Sequence, residues 1–218
     1  DVFAVQDGRG SSKLFTAGFP IDMFLQGDDT GDNWQLKDRL RHQKDLATNS
    51  TAAESDNTFY FFDDQTGLVT SSGGGSAIAQ LTGYMWKRAK GYFDMVAYTG
   101  TGTAGLTVNH NLGVAPEMTW VKRRDSATNW RVNVAALGTN GQDSPVLRLN
   151  LSNASEDDNG SYFGNNNSGG YTAPTSSVLT LGGHGDVNAS GGTYMAYLFA
   201  TVAGVSKVGS VSHTSGSS

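Results

Sequence analysis

The sequence predicts an all-β fold, arranged as tandem antiparallel β-sandwich domains of about seven strands each. Three observations carry that expectation. Apolar residues fall in short runs too brief for helices, several of them alternating at period two. Turn chemistry separates the runs, with 29 glycines and abundant Ser, Thr and Asn. Pieces of the central stretch Gly91–Asp125 recur in order on both sides of it, the mark of a repeated unit.

The totals exclude several classes. Aromatic residues make up 10% and charged residues only 16%, the reverse of a disordered chain. A net charge of −5 and a pI near 5.2 repel phosphate backbones, so nucleic acid is not an expected partner. The chain has no Cys, which removes disulfides and thiolate metal sites. No apolar run approaches the ~18 residues of a membrane-spanning helix, so no membrane insertion is expected. The chain opens on Asp1 and reads as a piece of something longer.

Asp1–Gln6, Ile21–Gln26, Thr58–Phe62 and Leu81–Lys87 read as strands of a first β-sandwich repeat, 1–90. Between them lie the corner Ala17–Pro20, the acidic turn Gly27–Asn33 and the flexible Ser71–Ser76. Lys37–Asp45 has Leu40 as its only apolar centre, so a solvated turn is the preferred reading. Arg88–Lys90 is too short for a flexible linker, so the two units should stand in a fixed relation. The second repeat, 91–203, places strands at Tyr92–Tyr98, Leu106–His110, Glu117–Arg124, Trp130–Val134, Val146–Leu151, Val178–Leu181 and Thr193–Val202. Ser152–Tyr171 is a long polar loop, and 204–218 reads as the start of a third repeat or a C-terminal tail.

Across the copies Met23 matches Met118 and Trp34 matches Trp130. Thr48–Glu54 matches Asn150–Glu156, and Tyr84 matches Tyr194. Features present in both copies point to packing, so these tryptophans, tyrosines and methionines read as core. Features present once are the better functional candidates. The first copy carries Asp28, Asp29 and Asp32 after its strand, where the second carries Lys122, Arg123 and Arg124. Complementary charge of this kind suits contact across a subunit or unit boundary, and two solvated turns are the plain alternative.

Asp28, Asp29 and Asp32 are also the only plausible calcium ligands, though their spacing departs from an EF-hand loop and an ordinary acidic turn is preferred. The four histidines show no metal-ligand spacing. His184 lies in a glycine-rich turn that would suit a ligand contact, and Asn159, Tyr162, Asn166 and Tyr171 are the side chains of the polar loop best suited to one. No nucleophile elbow or phosphate loop is present, and the chain is not read as an enzyme.

The run from Gly91 to Asp125, with GGTYMAYLFATVAGVSKVGS closing the copy, resembles a repeat family of tailed bacteriophages, often marine or cyanobacterial, found in large tail or virion structural proteins. The matching pieces are Phe93–Gly102, Asn109–Arg124, Leu147–Glu156 and Tyr194–Ser210, with looser likeness in the first copy. The resemblance implies a virion structural protein. The expected role is a tail fibre or tailspike segment, homotrimeric by analogy, that contributes to attachment to host-surface glycan. A capsid decoration protein and a polysaccharide depolymerase domain are the alternatives. The family brings no catalytic residues and no cofactor to carry over.

Overall fold

The computed structural model describes residues 1–7, 14–28, 33–57, 60–62, 67–70, 81–138, 144–165 and 170–211. They form an all-β, antiparallel structure. The first half contributes β1 (Phe3–Asp7), β2 (Leu14–Thr16), β3 (Met23–Asp28), β4 (Gln35–Asp38) and β5 (Lys44–Ala47). It continues with β6 (Ser55–Asp56), β7 (Tyr60–Phe62), β8 (Gly67–Thr70) and β9 (Leu81–Trp86). The second half contributes β10 (Phe93–Thr99), β11 (Leu106–Asn109), β12 (Met118–Arg123), β13 (Arg131–Val134) and β14 (Pro145–Arg148). It ends with β15 (Glu156–Asp157), β16 (Gly164–Asn165), β17 (Gly170–Tyr171), β18 (Val178–Leu181), the one-turn helix α1 (Gly185–Asn188) and β19 (Thr193–Phe199).

Each half builds one six-stranded sheet, and the two sheets have corresponding strand orders, β1-β9-β3-β4-β5-β6 and β10-β19-β12-β13-β14-β15. In both, the first and last long strands of the half pair with each other. Smaller sheets, β2-β8-β7 in one half and β11-β18 and β16-β17 in the other, complete the set. The described strands thus exceed seven per half, because short pairings at the sheet edges leave little trace in hydropathy.

Three apolar clusters define four layers, small sheet, large sheet, large sheet, small sheet. Phe15, Phe19, Ile21, Phe24 and Met85 fill the first gap. Val108, Val121, Val146, Phe163, Leu179, Leu181, Tyr194, Ala196 and Leu198 help fill the last. The middle gap joins Met23, Leu36 and Leu46 of one large sheet to Phe93, Met95, Trp130, Met195, Tyr197 and Phe199 of the other. β19 shows why its sequence is a continuous apolar run. Tyr194, Ala196 and Leu198 point outward into one cluster, and Met195, Tyr197 and Phe199 point inward into another.

Register settles which residues correspond. Met23 faces Trp86 as Met118 faces Phe199, and Leu36 follows Trp34 as Val132 follows Trp130. The backbone N–H of Trp34 donates to Asn49 Oδ1 at 3.2 Å, and that of Trp130 donates to Asn150 Oδ1 at 2.9 Å. The counterpart of Tyr84 is therefore Tyr197 and not Tyr194, and Asn49 rather than Thr48 aligns with Asn150. Loops that lengthen between the strands hid both shifts.

Four further expectations change. Lys37–Asp45 is not a solvated turn: it holds the ends of β4 and β5, and Lys37, Asp38, Arg41 and Asp45 are buried while Leu40 is exposed. Trp34 is 38% exposed, whereas Trp130 is fully buried. The strand expected over Val146–Leu151 stops at Arg148, and the turn that follows delivers Asn150 to the Trp130 backbone. Val205–Val211 forms no strand, since the bridge Val202–Ser206 closes a tight turn and the chain then runs without a ladder. Ser71–Ser76 lies outside the described residues.

Candidate functional site

The outward face of β13, β14 and β15 carries Arg131, Arg148 and Glu156 beside the buried Val146. Arg131 and Arg148 sit opposite each other on adjacent strands, and Glu156 pairs beside Val146. Glu156 accepts from Arg131 Nη1 through one carboxylate oxygen and from Arg148 Nη2 at 2.6 Å through the other. Asp186, in the first turn of α1, accepts from Arg131 Nε at 2.8 Å. Arg131 is thereby held between two carboxylates, which compensates its burial.

Arg131 also positions the loop above it. Its guanidinium carbon lies 3.9 Å from the centroid of the Tyr162 ring, within cation–π range. The His184 ring packs on Tyr162 at 4.5 Å between centroids. His184 caps α1, its Nδ1 accepting from Asp186 N at 3.1 Å, and its own N–H donates to Ser161 O at 3.0 Å. Beneath the loop, Asp158 accepts from Tyr162 N at 2.6 Å and Phe163 N at 2.7 Å. Burial pushes the Asp158 carboxyl up to about 6, against those N–H donors, which pull it down.

The polar-loop candidates therefore divide. Tyr162 and His184 come together as a partly exposed ring pair. Asn159 is exposed a few residues before Tyr162, in a left-handed conformation with φ of 46°. Tyr171 instead packs partly buried against the outer core, where burial raises its phenol. Asn166 lies outside the described residues. Arg131 was missed by sequence reasoning. The alternation of WRVNV assigns it to a solvated face, and only the later charges Arg148, Glu156 and Asp186 hint that it has partners.

The charged-turn candidates are placed differently from the simple turn-to-turn picture. Lys122 and Arg123 belong to β12, and Lys122 is fully buried, its Nζ donating to Thr51 O at 3.1 Å and Thr128 O at 3.0 Å. Arg123 pairs with Asp125 at 2.9 Å. Arg124 grips Glu54 of the first half through two hydrogen bonds of 2.8 and 3.0 Å, and Glu54 N returns a bond to Arg124 O. Lys122 and Arg124 thus reach the first half of the same chain at Thr51 and Glu54, while Arg123 pairs within the second half. Asp28 ends β3, where it pairs with Leu81, while Asp29 and Asp32 lie outside the described residues. Among the described residues no group of three or more His, Asp or Glu side chains could hold a metal ion.

A shallow recess of about 350 Å³ opens at the junction of the halves between Arg88, Lys90, Phe93 and Asn111. Its acid, Asp94, already accepts from Asn111 N at 2.6 Å. Among the described residues no helix is long and apolar enough to cross a membrane.

Layered antiparallel sheets thus hold a ring pair, Tyr162 and His184, over an ion cluster of Arg131, Arg148, Glu156 and Asp186. Residues 87–218, more than half of the chain, match the family described as "Domain of unknown function (DUF7483)", and the chain belongs to that family. The match begins immediately after β9 and takes in β10 to β19. No curated protein matches the chain, and no solved structure does.

Proposed function

We propose that the chain is a virion structural segment of a tailed phage, part of a tail fibre or tailspike, that contributes to attachment to host-surface glycan. The observation that carries this reading is the presentation of Tyr162 and His184. A partly exposed ring pair is fixed from below by Arg131 and Asp158 and stands on a stack of sheets with an apolar cluster in each gap. Such a scaffold holds its exposed rings in a fixed place, the arrangement that recognition surfaces favour. The resemblance to phage repeats supplies the setting, a virion particle with homotrimeric assembly.

The test uses point variants, because deleting Ser152–Tyr171 would remove the buried Asp158 and Phe163. The intact chain is applied to an array of bacterial surface polysaccharides, alongside a Tyr162→Ala, His184→Ala double variant. Binding by the wild type that falls roughly tenfold in the variant supports the reading, a loss of the size that removing a stacking ring produces. Wild-type chain that binds no glycan on the array overturns attachment. Light scattering on the same sample addresses assembly: a trimer supports the fibre, and a monomer assigns trimerisation to another part of the virion protein or removes it.

A further inference from the structure

Among the described residues, the second large sheet covers one face of the first only in part. Met23, Leu36 and Leu46 on it are buried beneath the second large sheet. Toward its other side the same face carries Phe3 and Val5 on β1, Tyr84 and Trp86 on β9, and Trp34 just before β4. Alternation places Phe3 and Val5, Thr82, Tyr84 and Trp86, and Leu25 and Gly27 on this one face. Phe3 is 41% exposed, Val5 52% and Trp34 38%. The rings form a connected row: Phe3 to Trp86 at 5.0 Å, Trp86 to Tyr84 at 6.3 Å, and Tyr84 to Trp34 at 6.1 Å between centroids. Trp34 and Tyr84 lie within 23° of parallel.

Gly27 makes this geometry possible. A Cβ at Gly27 would stand 2.5 Å from the Trp34 ring, so the indole lies flat on bare backbone. The corresponding position of the second sheet holds Lys122, and there the tryptophan is turned into the core, its Nε1 donating to Ala47 O at 2.9 Å.

We propose that this row is a carbohydrate-stacking platform for the apolar faces of uncharged sugar rings. Exposed apolar patches of this kind mark ligand or partner sites. The row is one ring wide, which suits a linear chain of rings better than the broad face a protein partner buries. Platforms that stack nucleobases need a cationic groove as well, whereas among the described residues the row itself has no Lys or Arg, the same alternation places the acid Asp7 beside Thr82, and the chain carries a net charge of −5. Half-buried Thr82 on the same face, opposite Gly27, and exposed Asn33, next to Trp34 in the chain, carry hydrogen-bonding groups suited to hydroxyls. The platform shares only its ligand class with the attachment reading and uses different residues in the other half of the chain.

The experiment titrates the intact chain with neutral oligosaccharides, cellohexaose and maltohexaose, and applies it to the same polysaccharide array, reading affinity and tryptophan fluorescence. Trp34→Ala and Tyr84→Ala are each expected to weaken binding roughly tenfold, as loss of a stacking ring does. Gly27→Ala keeps every ring but lifts Trp34, and is expected to weaken binding as well. Phe3→Ala, at the sheet edge, guards against a folding defect in the others. Loss in these variants with binding intact in Tyr162→Ala, His184→Ala supports the platform and overturns the loop as the glycan site. Loss in the loop variant alone overturns the platform and leaves the attachment reading standing. No binding by the wild type overturns both. A change in native mass in Trp34→Ala without a change in sugar binding makes the row a self-contact and overturns the proposal.

Discussion

Trp34 and Trp130 occupy the same place in corresponding sheets and make the same backbone bond to an asparagine, yet one is 38% exposed and the other is fully buried. The difference lies in what covers each sheet. The second sheet presents the Trp130 face to the first, which receives the indole N–H on Ala47 O. The first sheet returns only part of its face, leaving Trp34 and Tyr84 outside the shared cluster. A repeated fold therefore does not assign a repeated role. Position within the unit determines that a tryptophan is present, and packing between units determines whether it is core.

The largest expected effect breaks that pair apart. Trp130→Ala removes a buried indole from the middle layer and is expected to cost about 3–5 kcal/mol. Trp34→Ala is expected to cost under about 1 kcal/mol, since exposed substitutions seldom exceed that. Denaturant unfolding followed by circular dichroism measures both. Equal losses would mean that the two environments are not distinct in solution.

A second contrast lies on the outward faces. Lys37 corresponds to Asn133, so a cation stands where the other half has an amide. Lys37 Nζ pairs with Asp45 Oδ1 at 3.1 Å, and burial pulls its pKa from 10.5 to about 8. Below pH 8 the folded and unfolded chains both hold this proton. Between pH 8 and 10.5 the unfolded chain keeps a proton that the folded chain has released, so stability rises with pH. Lys122, lowered to about 8 by the same cause, adds the same sign. The tyrosines act oppositely. Burial pushes Tyr92 up to about 12 and raises Tyr98 and Tyr197, so stability falls once unfolded tyrosines ionise near pH 10. Lys37→Met is expected to be less stable at neutral pH, because the buried Asp45 keeps Asn57 as a donor but loses its cation. It should also show a smaller rise from pH 8 to 10 in urea midpoints. An undiminished rise would remove Lys37 as its source.

The strands were legible because short apolar runs between Gly, Asn and Asp leave no alternative to β structure. The repeat was legible at Met23/Met118 and Trp34/Trp130, whose neighbours are turns of similar length. Lys37–Asp45 was not legible. With Leu40 as its only apolar centre the segment reads as a solvated turn, and the structure instead buries four of its charged residues while Leu40 stays exposed. The reversal depends on partners far along the chain: Tyr197 O–H donates to Asp38 Oδ2 at 2.6 Å, and Glu54 stands 3.7 Å from Arg41 Nη1. Arg131 escaped for the same reason, because its stabilising carboxylates come from β15 and α1. Tyr162 and His184 were legible as single candidates, but their contact needs the Ser161–His184 bond that ties two loops together.

The smallest expected effect tests a contact that the two halves keep in common. Asn150 Oδ1 accepts from Trp130 N, and Asn150 Nδ2 donates to Asn129 Oδ1 at 3.0 Å. Asn49 Oδ1 accepts from Trp34 N at the longer 3.2 Å, in an exposed setting. Removing an acceptor from a buried N–H costs about 1 kcal/mol, and water replaces an exposed acceptor for roughly a few tenths. Asn150→Ala should therefore lower stability by about 1 kcal/mol, and Asn49→Ala by roughly a few tenths. If amide exchange at Trp34 slowed to the rate at Trp130, the exposed half would be covered in solution, and the contrast between the two sheets would belong to the isolated chain alone.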